Sequence, residues 1–327
     1  MLMGAMSLMA PAPVAAHVRT GTLSTDFEAR VTGLRPAAPG ISARALDGDL
    51  LLELRVAPER VVIVLGYVGE PFLRFVPAGV EVNLASPTAG SARIIPEGDA
   101  VSSATVKWQR VRTGRVFAWH DNRLRPAPLV SARAQQPREV ATWSIPLVVD
   151  GRATALVGSE WYSSGPSPWP WAAAGLALVA LAGLGGRRLP RSAQGAVAPV
   201  LLAVTVGGLL ASWTGIILAG RATTAAVALA VAFAAVSGAF LFIVVAAAKG
   251  STRIAVVALV GGFAAAFASP EVAIFGHGFV LSAMPPEAAR VTVAAAVAGG
   301  LAVAALCAPA VLEFLSAGQP GSRRPRS

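Results

Sequence analysis

The pattern of apolar and polar positions divides the chain into two halves. From Thr22 to Ser159, short apolar runs alternate with turn-forming residues, whereas beyond Trp171 long apolar segments are separated by short polar ones. The first pattern is typical of a β-sandwich or a small β-barrel, and the second is typical of membrane-spanning helices. We therefore predict a two-part fold, an all-β domain followed by an all-α membrane domain.

Ten segments of the first half are predicted to be strands, because they are short and are bounded by turn-forming residues. Asp150-Gly151 lies between the last two and is the strongest hairpin signal in the chain. The predicted strands are Phe27–Thr32, Ile41–Ala45, Asp49–Val56, Arg60–Tyr67, Phe72–Val76, Val80–Leu84, Thr105–Val111, Arg115–Trp119, Thr142–Val149 and Ala153–Gly158.

The second half contains five apolar segments that approach or exceed the ~20 residues that a spanning helix needs. Val272–Met284 is too short to span, and we predict that it is an interfacial or re-entrant segment on the outer side. Pro270, Pro285 and Pro286 bound this region, so a plain helical continuation is disfavoured. The five predicted spans are Ala172–Gly186, Ala196–Ala219, Thr223–Ala248, Ile254 to Ile274, and Val291–Phe314.

The junction between the halves is rich in tryptophan and proline. Aromatic rings of this kind favour the headgroup layer of a bilayer, and Arg187, Arg188 and Arg191 end the apolar run that follows. A buried core helix with a basic end is the alternative interpretation. The predicted organisation is a signal peptide (1–16), a β domain (17–160), an interfacial linker (161–171), a five-helix membrane domain (172–315) and a basic cytoplasmic tail (316–327).

Met1–Ala16 has the short apolar region and the small residues of a secretory signal peptide. It lacks the positively charged n-region of a signal peptide, which favours a leader that begins further upstream. A disordered N-terminal tail is the alternative interpretation. Cleavage after Ala16 would leave His17 as the mature N-terminus.

Charge predicts the orientation in a cell membrane. With the β domain outside, the loops at Arg187–Arg191, Lys249–Arg253 and Arg323–Arg326 lie inside with eight basic residues, and only Arg221 and Arg290 lie in the opposite loops. This distribution follows the positive-inside rule.

Composition excludes several classes of protein. Hydrophobic residues make up 55% and charged residues 13%, and from Trp169 onwards the chain carries 10 of its 27 basic residues but only 3 of its 17 acidic ones. The arginines are dispersed between apolar spans, so we reject a nucleic-acid-binding face and expect the lipid bilayer to be a partner. Cys307 is the only cysteine, so no disulfide framework exists.

The three histidines provide the candidate metal chemistry, since all three are predicted to lie outside or at the outer membrane edge. A free N-terminal His17 offers an amine and a ring nitrogen to copper, and Met284 would add a thioether near His277. His120 with Asp121 completes the candidate ligand set. The competing interpretation is that each histidine is an ordinary surface or hydrogen-bonded residue, because no two show ligand spacing.

Four groups of residues in the first half form distinctive motifs, namely Gly69–Phe75, Gly79-Val80 with Asn83 and Ser86-Pro87, Lys107–Arg123, and Trp143–Gly151. Together they resemble an uncharacterised family of actinobacterial envelope proteins with an exported β domain and a small membrane domain. The family is loosely similar to copper-resistance β-sandwich proteins of the CopC type. The resemblance therefore implies an Ig-like or CopC-like sandwich and copper handling.

This chain departs from the family pattern in its Trp119-His120-Asp121 motif. Asn122 and Arg125 stand where the family has histidines, so part of the implied ligand set is missing. The structural alternative is that Trp119 packs in the core while Asp121 accepts hydrogen bonds from Arg123 or a turn.

The sequence leaves two functions open. No GxSxG, HExxH or P-loop motif is present, so we predict no enzymatic activity. The first hypothesis is copper handling by the exported β domain. The second is a non-catalytic, membrane-anchored module that binds another envelope protein. We also predict that His277 is satisfied by the β domain or a neighbouring helix end, so that Ser269–Arg290 docks the two halves together.

Overall fold

The computed structural model describes residues 23–92, 94, 105–125, 136–219, 238 and 250–317. They form a β-rich N-terminal part, here called the β domain, and a helical C-terminal part, here called the helical domain. The predicted leader 1–16, His17, the predicted span Thr223–Ala248 and most of the tail 316–327 lie outside the described residues.

Each of the ten predicted strands corresponds to a strand of the β domain. A short two-residue strand precedes them, and the short helix α1 (Pro87–Ser91) occupies the position where the sequence predicts a turn at Ser86-Pro87. The strands are β1 (Ser24–Thr25), β2 (Phe27–Arg35), β3 (Ile41–Leu46), β4 (Leu51–Val56), β5 (Val62–Leu65), β6 (Pro71–Val76), β7 (Gly79–Asn83), β8 (Trp108–Arg112), β9 (Val116–His120), β10 (Arg138–Val149) and β11 (Arg152–Tyr162).

Two antiparallel sheets enclose one apolar core. The larger has the strand order β2-β11-β10-β5-β6-β7-β8, and the smaller has the order β3-β4-β9. Burial alternates along β5 and β9, as expected for strands with one face towards the core. Leu52 and Leu54 from the small sheet meet Phe72, Phe75 and Ile145 from the large one, and all five side chains are fully buried.

The β10–β11 hairpin confirms the strongest local prediction. Asp150 and Gly151 form its two-residue turn with φ angles of 48° and 80°. Two successive positive φ angles define a type I′ turn, which matches the twist of the flanking strands. This turn lies at the opposite end of the β10–β11 hairpin from Tyr162, after which the chain leads to the helical domain.

Four described helices are long and apolar enough to cross a membrane, and they correspond to four of the five predicted spans. The third predicted span, Thr223–Ala248, falls outside the described residues. The helices are α2 (Trp169–Arg188), α3 (Arg191–Leu218), α4 (Gly250–Ala268) and α5 (Pro286–Ala317). The apolar span that includes α4 extends from Thr252 to Phe275.

Helix α5 is the centre of the helical domain and packs against α2, α3 and α4. Small residues permit close contact, as expected for helices that lie in lipid. A Cβ on Gly300 would lie 2.3 Å from the carbonyl oxygen of Gly261, and one on Gly186 would lie 2.4 Å from that of Leu306.

The connections between the domains are more ordered than the sequence indicates. Strand β11 continues through Trp161 to Tyr162, and α2 begins at Trp169, so regular structure occupies both ends of the predicted linker. Between α4 and α5, a 3₁₀ segment (Ser269–Phe275) is followed by the short strand β12 (Phe279–Val280). The prediction that this region is not a plain helical continuation is confirmed.

Replacing Phe72 with Ala tests the shared core. The fully buried ring lies edge-on to Trp119 with the centroids 6.2 Å apart. We expect the free energy of unfolding to fall by about 3–5 kcal/mol, because the substitution leaves a cavity between the sheets. Denaturant unfolding of the full chain in detergent provides the measurement. Val68→Ala, at a side chain that is 76% exposed, is the control and should change stability by less than about 0.5 kcal/mol. Equal effects of the two substitutions would contradict the assignment of Phe72 to the core.

Candidate functional site

Strands β1 and β12 join the β domain to the helical domain through main-chain hydrogen bonds. They pair antiparallel, with Ser24 opposite Val280 and Thr25 opposite Phe279. The pairing extends to Leu281, whose N–H donates to the carbonyl of Leu23 at 2.6 Å. Residues 23–26, 163–165 and 276–281 are called the domain joint below. Main-chain pairing fixes the register of two segments, so the β domain is docked on the helical domain and not merely tethered to it.

Glycines allow the two main chains of the joint to approach closely. Ser164 and His277 form an isolated antiparallel bridge. A Cβ on Gly278 would lie 2.2 Å from the carbonyl oxygen of Ser163, and one on Gly165 would lie 2.1 Å from the carbonyl group of Gly276. Any side chain at these two positions would therefore separate the segments.

Asp26 and His277 provide the polar contact at the centre of the joint. The Asp26 carboxylate accepts a hydrogen bond from the Gly278 N–H at 3.1 Å, and its Oδ1 lies 3.1 Å from His277 Nδ1. The imidazole ring is not oriented to form a hydrogen bond with Oδ1, although the distance is that of an ion pair. The contact is therefore electrostatic and attracts only when the imidazole is protonated. The predicted docking of Ser269–Arg290 on the β domain is confirmed, but the predicted hydrogen-bond partner for the His277 side chain is not found among the described residues, because Nδ1 is buried without one.

Arg290 fixes the other side of the joint. Its side chain is buried and donates from Nε to the carbonyl of Ile274 and from Nη2 to the carbonyl of His277, both at 3.1 Å. Nη1 donates to the exposed carboxylate of Glu287 at 2.6 Å. From the sequence, Arg290 is predicted only to be a basic residue of an outer loop. The signal that this prediction misses is a basic residue placed one turn into a helix and directly after a proline-bounded segment.

An apolar cluster supports the joint from the helical side. Its buried members are Leu23, Ile274, Phe275, Ala289 and Val293, and Trp171 and Met284 pack against them. The Trp171 ring lies 5.1 Å from that of Phe275. Met284, a candidate metal ligand, therefore contributes to apolar packing beneath the joint.

Replacing Gly278 with Ala should loosen the joint, because the new methyl group would overlap the main chain of Ser163. We expect limited proteolysis of the full chain in membranes to release the β domain several times faster than in the unmodified protein. Gly276→Ala is the matched control, since a Cβ there meets nothing closer than 3.8 Å. Equal cleavage rates for the two variants would contradict the joint as the docking contact.

A second group of polar residues lies in the loops of the β domain. The Asp121 side chain is fully buried and accepts hydrogen bonds from Trp119 Nε1 at 2.9 Å and from Arg123 Nε and Nη2 at 2.9 and 2.7 Å. Arg123 Nη1 also donates to the carbonyl of Leu65 at 2.9 Å. Trp119 is buried in the core. The structural interpretation of the Trp119-His120-Asp121 motif is confirmed for its tryptophan and its aspartate.

Hydrogen bonds to α1 and to the residues after β9 hold the loop that follows β5. Glu70 accepts hydrogen bonds from the hydroxyl groups of Ser86 and Thr88 at 2.5 and 2.7 Å, and the Thr88 hydroxyl accepts from the Tyr67 N–H at 2.8 Å. The Tyr67 hydroxyl accepts from the Asn122 N–H at 3.0 Å. Residues 65–70, 86–88 and 120–123 together are called the loop cluster below. The loop cluster therefore brings together residues from three of the motifs named above, Gly69–Phe75, Ser86-Pro87 and Lys107–Arg123.

Electrostatics in the loop cluster follows from these contacts. Partial burial raises the pKa of Glu70, but the hydrogen bonds from Ser86, Thr88 and Val68 outweigh it and hold that pKa below the usual glutamate value. Burial, and to a smaller degree the charge of Asp121, raises the pKa of Tyr67. Both groups therefore keep their ordinary neutral-pH charge, which suits a structural network.

The residues that the sequence proposed as copper ligands are not brought together in the described parts of the chain. His120 ends β9 opposite Leu51, whereas His277 lies in the domain joint. Asp121 does not suit a metal, because both of its oxygens are engaged by Trp119 and Arg123. Within the described residues no group of three or more His, Cys, Asp or Glu side chains could hold a metal ion. His17 lies outside them, so its predicted role stays a prediction.

The structure also reveals a buried carboxylate that the sequence placed merely at the end of a span. Glu271 is only 6% exposed and accepts hydrogen bonds from the Ser212 hydroxyl at 2.6 Å and from the side chain of Trp213. Both partners belong to α3. Because an acidic group in apolar surroundings requires such partners, Glu271 links the 3₁₀ segment to α3.

Comparisons of the chain with protein-family models, with curated proteins and with solved structures give no match.

Acid sensitivity tests the role of Glu70. Its lowered pKa means that the charged carboxylate stabilises the folded state above the unfolded-state pKa of about 4.3, and that this contribution is lost as the pH falls through the lower folded-state value. Glu70→Gln should therefore lose less stability than the unmodified protein between about pH 5 and pH 2. The urea midpoint at each pH is the measurement. Glu59→Gln, in an exposed turn, is the control. An acid response of Glu70→Gln that equals that of the unmodified protein would refute the assignment.

Proposed function

We propose that this chain is an integral membrane protein of the cell envelope whose β domain is a non-catalytic interaction module for another envelope protein. The observation that carries the proposal is the exposed tip of the loop cluster. Val68 at that tip is 76% exposed, and Tyr67 beside it is 37% exposed. Tyrosine is enriched among the residues that dominate binding at protein interfaces, and Val68 extends the apolar surface beside it.

The rigidity of the tip comes from its hydrogen bonds. The Val68 N–H donates to Glu70 at 3.2 Å, and the guanidinium carbon of Arg123 lies 5.0 Å from the centre of the Tyr67 ring. A loop that is already ordered loses little conformational entropy when it binds a partner. The Asp150-Gly151 turn lies at one end of β5, and the loop cluster lies at the other end. The domain joint likewise lies at the end of β11 away from that turn. A partner that binds the loop cluster would therefore approach near the membrane.

The charge distribution supports a cell membrane location with the β domain outside and the C-terminus inside. Arg187 and Arg188 end α2 at the side of the bundle away from the β domain, and Arg191 and Arg253 line one cavity there. Basic residues prefer the cytoplasmic side of a membrane.

The positions of α3 and α4 support a fifth span at Thr223–Ala248. The carbonyl of Gly215, near the end of α3, accepts from the Ala283 N–H in the segment beside the joint. Arg253, near the start of α4, lines a cavity at the other end of the bundle. We therefore propose that Thr223–Ala248 connects these two ends as a further membrane span. An Ig-like or CopC-like sandwich accounts for the two sheets of the β domain.

Site-specific photo-cross-linking tests the interaction module. We expect a photoreactive residue at position 68 to give a discrete cross-linked product in intact cells. The same residue at position 61, which is also an exposed valine but lies beside the Asp150-Gly151 turn, should give none. Products at both positions, or at neither, would contradict a binding surface at the loop cluster.

A copper titration of the purified full chain separates this proposal from copper handling. The interaction module predicts no stoichiometric copper binding that depends on His277. Binding of one copper ion per chain that is lost in His277→Ala would instead favour the copper-handling function.

A further inference from the structure

A cavity of about 470 Å³ opens at the end of the helical bundle away from the β domain. Arg191 and Ser192 at the start of α3, Arg253 near the start of α4, and Ala310 and Glu313 near the end of α5 line it. Three helices that are separate in sequence thus place two guanidinium groups and one hydroxyl group around a single space. The function proposed above does not involve this cavity.

Arg191 is held in position by a buried side chain. Its Nη1 donates to Oε1 of Gln194 at 2.8 Å, and the Gln194 side chain is only 1% exposed. Gln194 Nε2 in turn donates to the carbonyls of Gly186 and Leu189 at 3.0 and 2.9 Å. The connection between α2 and α3 therefore orients the guanidinium group towards the cavity rim, where Nη2 donates to Glu313 at 2.6 Å.

Arg253 differs from Arg191 in having no carboxylate partner among the described residues. It is exposed, and Ile254 beside it also lines the cavity. An exposed guanidinium group at the boundary of an apolar bundle favours an anionic ligand. The ligand must also tolerate the apolar surface that continues along α3 and α5, where Val197, Val200 and Leu312 are exposed.

We propose that this cavity binds the phosphate headgroup of an anionic phospholipid, with Arg253 and Arg191 contacting the phosphate and the acyl chains lying along the helices. Guanidinium groups bind phosphate oxygens in a bidentate manner, and basic pockets between membrane helices are suited to acidic headgroups. Glu313 opposes the ligand, because it competes for Arg191 and adds a negative charge to the rim. The same phosphate chemistry would accept free inorganic phosphate, and the experiment below distinguishes the two.

Native mass spectrometry of the full chain, with phosphatidylglycerol and phosphatidylcholine offered at equal concentration, is the test. We expect the unmodified protein to retain phosphatidylglycerol in preference. Arg253→Gln should lower that retention roughly fivefold, as expected for the loss of one basic contact near a charged headgroup. Glu313→Gln should raise it, because the change frees Arg191 and removes the opposing charge. Arg188→Gln is the matched control, since Arg188 is exposed at the same end of the bundle and does not line the cavity.

Four results would overturn the proposal. Equal losses in Arg253→Gln and Arg188→Gln would show a general attraction to surface charge. Equal retention of the two lipids would show that the headgroup charge is not recognised. A rise in Tm with inorganic phosphate alone that Arg253→Gln abolishes would assign the site to free phosphate. A lower Tm of Arg253→Gln in phosphatidylcholine alone would show that this variant is misfolded. In that case the retention of phosphatidylglycerol by Glu313→Gln decides, and no increase in that retention would refute the site.

Discussion

Main-chain polar groups at a membrane boundary need hydrogen-bond partners, and the organisation of this protein depends on how that need is met between α4 and α5. A chain that turns back before entering the next helix exposes N–H and C=O groups that no helix satisfies. Here β1 supplies partners to β12, and the Arg290 guanidinium supplies two more hydrogen bonds to carbonyls. The β domain thereby completes the helical domain, and this pairing fixes its orientation relative to the helices.

The same principle separates the structural polar residues of the β domain from those that are free to bind. Neighbouring groups form hydrogen bonds with the side chains of Asp121, Glu70 and Thr88. The role of these three side chains is therefore to hold the loops together. What they hold outwards is apolar, at Val68. Under the proposed function, such a surface would recognise a partner by shape and apolar contact.

The sequence predicts those features that depend on local chemistry. Strand positions followed from short apolar runs bounded by turn residues, and Asp150-Gly151 identified its hairpin because few other dipeptides adopt two positive φ angles. Bilayer length identified the described spans. The burial of Glu271 depends on a contact with α3, which is distant along the chain. The role of Arg290 depends on how the preceding segment folds back, so that the guanidinium group meets the carbonyls of Ile274 and His277. No local pattern encodes either contact. His277 lies between these cases, because an ionisable residue in an apolar stretch shows that a partner is needed and not which one it is.

The position of the joint along the chain has a consequence for biogenesis. Leu23 to Asp26 are among the first described residues to be synthesised, whereas Phe279 and Val280 are made after α4. With the proposed orientation, the β domain reaches the outer side and folds before β12, the strand that pairs with β1, has left the ribosome or the translocation channel. β1 therefore remains an unpaired edge until the last pair of helices is inserted. During that interval the nascent protein is open to proteases and to pairing with other chains, and the final insertion step closes it.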